Sequence, residues 1–303
     1  MTSNIFAVDK NVTHNLLEEF GRTEKTANED VFAIKKWLTT QHHLPEIMGD
    51  FKIRNILLLC KFNIEKAKQK IDMYYTIRTR FPGWFKNNPK SPLMQHYRKT
   101  MYTCFLPKPI NERYRVIFLK PTVPNAYDPV GQINLILNIG ETFFDEEYLL
   151  IDFIAIFDMA NLTVNDFRKV TPMFLSQMYF TYQRVYTARI KAIYIINAPS
   201  YICTTLSITK MVFPPKLFAK IHVNEDAGVL NEIFSKEQLP KDYGGDGESL
   251  KELNDIMWLR ISEYQNRFDL LDKLKVNEDL RPKQLKNDDM LGFYGSFRKL
   301  DID

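Results

Sequence analysis

The sequence predicts an α/β fold in which a helical N-terminal module precedes a mostly parallel sheet covered by helices. Over the last two thirds of the chain, strand-like runs alternate with helical ones, the order that parallel sheets with crossover helices require. The clearest strand begins at Arg189, and every side chain from Ala192 to Ile196 is apolar or aromatic. Because both of its faces must be covered, this strand belongs in the middle of the sheet.

The first ninety residues contain three helical patterns joined by short connections. Apolar residues recur every three to four positions over 28–38, with Asn28 or Asp30 near the N-cap, and the run 51–59 is apolar nearly all round. The third pattern begins at Asn63, a residue type suited to an N-cap. These patterns predict a three-helix module over residues 1–90.

The α/β part follows a connection that is rich in proline. The predicted strands are 114–119, 153–157, 189–197 and 218–223, and the predicted helices are 130–143, 170–186 and 200–210. Asp158 ends the second strand, where we expect it to cap the following turn. Pro240 and the Gly244–Gly245 pair form a stop signal, since neither residue type extends a helix.

Composition excludes several classes of function. A net charge of +4 on 303 residues is too small to predict nucleic-acid binding. The three cysteines are widely spaced, so we expect free thiols in a reducing, cytoplasmic compartment. No signal-like segment opens the sequence, and the longest apolar stretch, 148–160, is broken by Asp152 and Asp158.

The sequence contains no motif that predicts an enzyme. A G-x-S-x-G elbow and a G-x-x-x-x-G-K-[ST] loop are both lacking, and Gly244-Gly-Asp-Gly247 lacks the preceding strand of a phosphate loop. His42 and His43 are neighbours on the chain, so their side chains diverge rather than converge on a metal. We therefore expect no catalysis, no cofactor and no metal.

Three strings resemble a known family. They are the strand R-I-K-A-I-Y-I-I-N-A-P at 189–199, the string L-P-K-D-Y-G-G at 239–245, and K-F-N-I-E-K-A at 61–67. They are similar to the CRAL-TRIO, or Sec14-like, lipid-binding family and its helical N-terminal module, in the retinaldehyde-binding and alpha-tocopherol transfer protein-like branch. Asp242 stands where the family usually has Glu. The tail 295–299 resembles insect-type members.

The resemblance implies an architecture and a ligand site. It implies a CRAL-TRIO-N module at 1–90, a lipid cage with a mostly parallel sheet floor and covering helices at 91–250, and a tail at 251–303 that packs on the cage. The residues that match the family's ligand-binding positions are Leu135, Ile139, Phe153, Ala155, Phe157, Met178, Thr181, Tyr182, Ile190, Ile208 and Val212. Each would equally suit an ordinary core.

The resemblance also implies a phosphoinositide site at Arg189, Lys191, Lys216 and Lys220. Arg189 and Lys191 are two apart on a strand and so share a side, and Lys216 and Lys220 share a face if helical. Clustered cations of this kind attract multiply charged phosphates and anionic membrane surfaces. The alternative is a set of ordinary solvated charges.

Between these cations, the segment 207–215 matches the family's mobile gate helix. Met211, Val212 and Phe213 would give it an apolar edge suited to a membrane surface, although a core helix that ends at Pro214 and Pro215 fits the pattern equally. We therefore expect a monomeric cytoplasmic protein that binds a small hydrophobic ligand, such as a tocopherol, retinoid, carotenoid or terpenoid, and delivers it to phosphoinositide membranes. A phosphatidylinositol-type exchanger and a signalling scaffold with a structural cage are the alternatives.

Overall fold

The computed structural model describes residues 6, 10–85, 88–144, 152–186, 189–283 and 285. Its strands are β1 Met101–Phe105, β2 Tyr114–Pro121, β3 Asp152–Asp158, β4 Arg189–Ile196 and β5 Ile221–Val223. Its helices are α1 Lys10–Glu19, α2 Glu24–Leu38, α3 Asp50–Leu59, α4 Ile64–Arg80, α5 Pro92–Thr100, α6 Pro129–Phe144, α7 Val164–Phe167, α8 Pro172–Thr181, α9 Ile202–Val212, α10 Pro215–Phe218, α11 Leu230–Ile233, α12 Leu250–Glu263 and α13 Gln265–Leu271. The tail string 295–299 lies outside the described residues.

The five strands form one sheet in the order β1-β2-β3-β4-β5. Strands β2 to β5 are mutually parallel, and β1 pairs with β2 in the antiparallel direction. The predicted mostly parallel sheet is therefore confirmed, with β3 in its centre. Strand β1 was missed, because it follows α5 without a turn and lies among prolines that suggested an irregular connection.

The N-terminal helices follow the sequence pattern with two differences. Asn63 is the N-cap of α4, as predicted, and its side chain accepts a hydrogen bond from the backbone N–H of Lys66. Helix α2 begins earlier than predicted, because Thr23 and Thr26 form a capping box ahead of Asn28. Helix α1 was not predicted.

The string 239–245 forms a tight turn that only glycine can complete. Gly244 has φ of +85°, in the left-handed region that residues with a Cβ rarely adopt. At Gly245 a Cβ atom would lie 1.9 Å from the carbonyl oxygen of Leu239. Glycine is therefore required at position 244 for the backbone conformation and at position 245 for lack of space.

The same turn is bound to the end of β3 through Asp158. Tyr243 donates its hydroxyl proton to Asp158 Oδ2 at 2.7 Å, and the Lys120 Nζ lies 2.9 Å from that oxygen. The other oxygen accepts hydrogen bonds from the backbone of Ala160 and from Asn197 Nδ2. Burial raises the pKa of Asp158, but these hydrogen bonds outweigh it and hold the pKa below its usual value. Asp158 thus caps its turn, and it also connects β2, β3, β4 and the turn at 241–243.

The Gly245→Ala substitution should destabilise the protein, because the new methyl group collides with a backbone carbonyl that cannot rotate away. We expect a loss of about 1–3 kcal/mol in the free energy of unfolding, measured by urea denaturation. The matched control is Gly83→Ala, since nothing lies within 4 Å of a Cβ at that exposed position. Equal unfolding midpoints for the two variants would contradict this account of the turn.

Candidate functional site

An apolar cavity of about 420 Å³ lies between the sheet and the helices α6, α8 and α9. This volume is within the roughly 300–1,000 Å³ that small-molecule sites usually occupy. Nearly all of its lining is carbon, so water inside it would find few hydrogen-bond partners. The cavity is therefore suited to an apolar guest.

The floor of the cavity is one face of the sheet. On β3, Phe153, Ala155 and Phe157 line the cavity, while the alternate residues Ile154 and Ile156 are buried on the opposite face. The small Ala155 side chain lies in the central strand, opposite larger residues on both neighbouring strands. Space therefore remains above the middle of the sheet.

The walls are helix faces with regular spacing. The lining residues of α6 are Pro129, Gln132, Ile133, Ile136, Leu137, Gly140, Phe143 and Phe144, and those of α9 are Ile202, Thr205, Leu206 and Thr209, followed by Phe213. Helix α8 and the wider π-type turn after it, Tyr182–Tyr186, supply Phe174, Leu175, Met178, Tyr179, Thr181 and Tyr182. Intervals of three and four residues place each set on one side of its helix.

Comparison with known proteins assigns the domain that holds this cavity. Residues 99–245 match the family model described as CRAL/TRIO domain. This part of the chain is a CRAL/TRIO domain. Residues 23–94, ahead of it, match the model described as Pinta-like, UBA domain.

Individual relatives are distant but extend over most of the chain. The human alpha-tocopherol transfer protein-like protein is 22% identical over 246 residues, which cover 80% of this chain and 71% of that protein. Clavesin-2 from Rattus norvegicus is 22% identical over 235 residues, covering 73% of this chain and 68% of the relative. The solved structure titled "Crystal structure of Sfh5" has a TM-score of 0.47 and 13% identity, and covers 86% of this chain and 99% of that chain.

The structure places seven of the eleven predicted ligand residues in the cavity wall of the CRAL/TRIO domain. They are Phe153, Ala155, Phe157, Met178, Thr181, Tyr182 and Ile190. The other four, Leu135, Ile139, Ile208 and Val212, pack in the core around it. On α6 and α9, each of these four residues comes directly before a lining residue. A rotation of about 100° around the helix axis therefore separates its side chain from the cavity. The polar lining residue Gln132 was missed, because no apolar periodicity marks it.

Helix α9 lines the cavity, and its apolar edge differs from the prediction. Met211 is 72% exposed, whereas Phe213 is buried and lines the cavity, with its ring centroid 5.6 Å from that of Tyr179. Of the three residues predicted for the edge, Met211 alone points fully outward. Helix α9 ends at Val212, and Phe213 and Pro214 separate it from α10, which begins at Pro215.

The four predicted phosphoinositide-binding cations have unequal surroundings. Arg189 donates hydrogen bonds to Glu19 Oε1 at 2.7 Å and to Asp152 Oδ2 at 3.1 Å. The hydrogen bond from Arg189 also holds the pKa of Glu19 below its usual value. Sequence could not reveal these pairings, because Glu19 is 170 residues away along the chain.

The three lysines have no ion-pair partner among the described residues. Lys220 donates from Nζ to the carbonyl oxygen of Ile190, next to Lys191 at the start of β4. Lys191 and Lys216 are exposed. Lys191, Lys216 and Lys220 therefore keep their charge available to an anion, whereas Arg189 is neutralised by two carboxylates.

Within the described residues, His, Cys, Asp and Glu side chains form no group of three that could hold a metal ion. His43 lies with Nε2 3.3 Å from Asp72 Oδ2 and belongs to the packing of the N-terminal helices.

None of the described helices is long and apolar enough to cross a membrane.

The face of α6 that points away from the cavity carries the fully buried Glu141. Its carboxylate accepts hydrogen bonds from the Tyr74 hydroxyl at 2.8 and 2.9 Å, and forms an ion pair with Lys52. Arg267 Nε lies 3.2 Å from Oε1, and Arg78 Nη2 lies 3.6 Å from Oε2. One carboxylate thus connects α3, α4 and α13 to the cavity wall.

These cations decide the protonation state of Glu141. Burial raises the pKa of Glu141, but the charges of Lys52, Arg78 and Arg267 outweigh it and lower the pKa to about 2. Since the folded pKa lies below the usual value of 4.5, this carboxylate stabilises the fold above pH 4.5. The contribution disappears as the pH falls towards 2.

Replacing Glu141 with Gln should cost about 3–5 kcal/mol in the free energy of unfolding at pH 7, because the buried Lys52 and Arg78 and the partly buried Arg267 each lose a counter-charge. Urea denaturation would measure the loss. The control is Glu65→Gln on exposed α4 surface, where a single pair with Lys68 is broken and a change within about 0.5 kcal/mol is expected.

The pH dependence gives a second test of the same carboxylate. Between pH 4.5 and 2 the parent protein should lose more stability than the Glu141→Gln variant, which has no carboxylate to protonate there. Parallel stability curves for the two proteins would show that Glu141 is not ionised in the fold.

Proposed function

We propose that this protein binds one small hydrophobic molecule in the cavity and transfers it between membranes without converting it. The observation that carries the proposal is the apolar cavity inside a CRAL/TRIO domain. Removing apolar surface from water contributes about 25 cal/mol per Å², so enclosure of a hydrocarbon supplies the driving force. The similarity to an alpha-tocopherol transfer protein-like protein supports this class of function.

Two charged residues, Arg115 and Asp166, lie in the lining of the cavity. Arg115 donates to the carbonyl oxygen of Phe6, and its guanidinium lies 5.0 Å from the ring centroid of Phe143. Asp166 accepts hydrogen bonds from the backbones of Thr163 and Asn125 and pairs with Lys169. The carboxylate of Asp166 is therefore satisfied by the protein itself and needs no group from a ligand.

Filling the cavity should abolish binding. In Ala155→Phe, the new ring projects from the centre of the floor into the space that the ligand would occupy. We expect titration with the apolar fluorescent probe diphenylhexatriene to saturate at one probe per parent chain, and affinity to fall at least tenfold in the variant. The free energy of unfolding without ligand should not fall by more than about 1–3 kcal/mol.

The matched control is Ala33→Phe on the exposed surface of α2, which adds the same ring away from the cavity. It should bind the probe as the parent does. If Ala155→Phe bound the probe with parental affinity while folded, the cavity would not be the binding site.

We propose further that Lys191, Lys216 and Lys220 direct delivery to phosphoinositide-containing membranes, with α9 and Met211 at the membrane surface. Each basic side chain near an anionic leaflet contributes about 1 kcal/mol to membrane binding, and salt screens this attraction over about 8 Å. Arg189 is expected to contribute less, since Glu19 and Asp152 already neutralise it.

The double variant Lys216→Ala/Lys220→Ala should weaken binding to phosphoinositide vesicles by about 2 kcal/mol, or roughly thirtyfold, at low salt. Diphenylhexatriene binding in solution should change little, because both lysines lie outside the cavity lining. The control Lys25→Ala/Lys36→Ala removes the same charge from exposed positions on α2. Equal vesicle binding by both double variants would mean that the site at 216–220 is an ordinary solvated surface.

A further inference from the structure

Two arginines at the edge of the sheet share two carboxylates, and one of these carboxylates comes from α1. Asp152, at the start of β3, forms ion pairs with Arg113 at 2.5 Å and with Arg189 at 2.7 Å. Glu19, at the end of α1, forms ion pairs with the same two arginines, at 3.1 Å and 2.7 Å. Two positive charges thus face two negative charges, and the cluster as a whole is neutral.

The two carboxylates differ in how readily they can leave the arginines. The side chain of Asp152 is 8% exposed and belongs to a central strand, whereas that of Glu19 is 36% exposed on a helix surface. The last turn of α1 contains no basic residue, so the helix dipole opposes the negative charge of Glu19. The hydrogen bond from Arg189 nevertheless holds the pKa of Glu19 below its usual value. Rotation of this one side chain would release both arginines, while the buried Leu16 and Leu17 keep α1 in the core.

The neutral cluster adjoins the cations of the proposed membrane surface. Lys191 follows Arg189 on β4 after a single intervening residue. The centroid of the Tyr114 ring lies 5.9 Å from the Arg113 guanidinium and 5.8 Å from Lys191 Nζ, so one aromatic ring contacts both a neutralised cation and an available one. A headgroup with several phosphates at Lys191 would therefore extend to both arginines once Glu19 moved aside.

We propose that the Glu19 carboxylate occupies the place of a headgroup phosphate on Arg189 and Arg113, and that it thereby limits how tightly the protein binds phosphoinositide-containing membranes. When a headgroup displaces Glu19, two further cations join the three lysines of this surface. Because one anion replaces another, the exchange weakens membrane binding without abolishing it. A protein that transfers a ligand between membranes must also leave each membrane after delivery. This inference rests on the proposed delivery function, because it concerns the same surface.

The test measures affinity for phosphatidylcholine vesicles that contain phosphatidylinositol bisphosphate, at physiological ionic strength, where charges more than about 8 Å apart are largely screened. Glu19→Gln keeps the shape of the side chain but removes the competing charge. We expect its affinity to rise about fivefold above that of the parent, the effect of one charge near an anionic leaflet. The matched control is Glu18→Gln, which removes the same charge from the neighbouring residue, whose partner is His14. It should bind vesicles as the parent does.

Three further measurements separate the competing charge from a structural effect. In about 1 M salt the screening length falls to about 3 Å, so Glu19→Gln and the parent should bind equally. Adding Arg113→Gln to Glu19→Gln removes one of the released cations and should return the affinity to that of the parent. Soluble inositol trisphosphate presents phosphates without a bilayer, and it should bind each protein more weakly than the vesicles do.

Equal vesicle affinities of Glu19→Gln and Glu18→Gln would overturn the inference. A gain in Glu19→Gln that persisted in high salt, or after Arg113→Gln was added, would overturn it too. Binding of inositol trisphosphate as tight as that of the vesicles would show that the competing anion is a free phosphate ester rather than a membrane, and would likewise overturn it. Absence of vesicle binding by the parent and by every variant would instead contradict the proposed delivery itself, and the inference with it.

Discussion

The structure depends on a constraint that most protein cores do not face: apolar walls must remain apart although the hydrophobic effect favours their collapse. Helix α6 meets this constraint through its outer face. There Glu141 is held by Lys52, Tyr74 and Arg267, which belong to three other helices. Polar bonds have defined lengths and directions, whereas apolar contacts can slide, so the wall keeps its position independently of what the cavity contains. The N-terminal helices thereby become part of the cage.

Further polar contacts hold the cage at the ends of its strands and helices. Arg260 on α12 donates to the Thr142 hydroxyl and carbonyl oxygen at 2.9 and 2.8 Å, next to Glu141 on α6. At the end of β3, Asp158 joins two neighbouring strands to the turn that contains Gly245. Helix α9 differs, because its outer face is polar apart from Met211 and its end is set by prolines rather than by ion pairs. If one wall moves to admit a ligand, this difference favours α9.

Sequence predicted the features that follow from local pattern and missed those that depend on long-range pairing. Four of the five strands and the cap at Asn63 were predicted, because apolar runs and capping residues are short-range signals. The cavity-lining residues predicted on β3 came from the family resemblance and fit a period of two, whereas Leu135 and Ile208 each lie one residue before a lining position. Lys52 and Glu141 look like surface charges in the sequence, since only folding brings these residues, 89 apart, into contact. For the same reason, the sequence could not show that Glu19 and Asp152 neutralise Arg189.

The account's central claim is that a single apolar molecule fits inside this domain. Native mass spectrometry of the full chain, after incubation with an equimolar mixture of hexadecane and hexadecanol, tests it most directly, because the mass difference gives both the stoichiometry and the chemical identity of the guest. The account predicts one added molecule per chain. A spectrum that contained only the bare chain at lipid concentrations well above micromolar would contradict it.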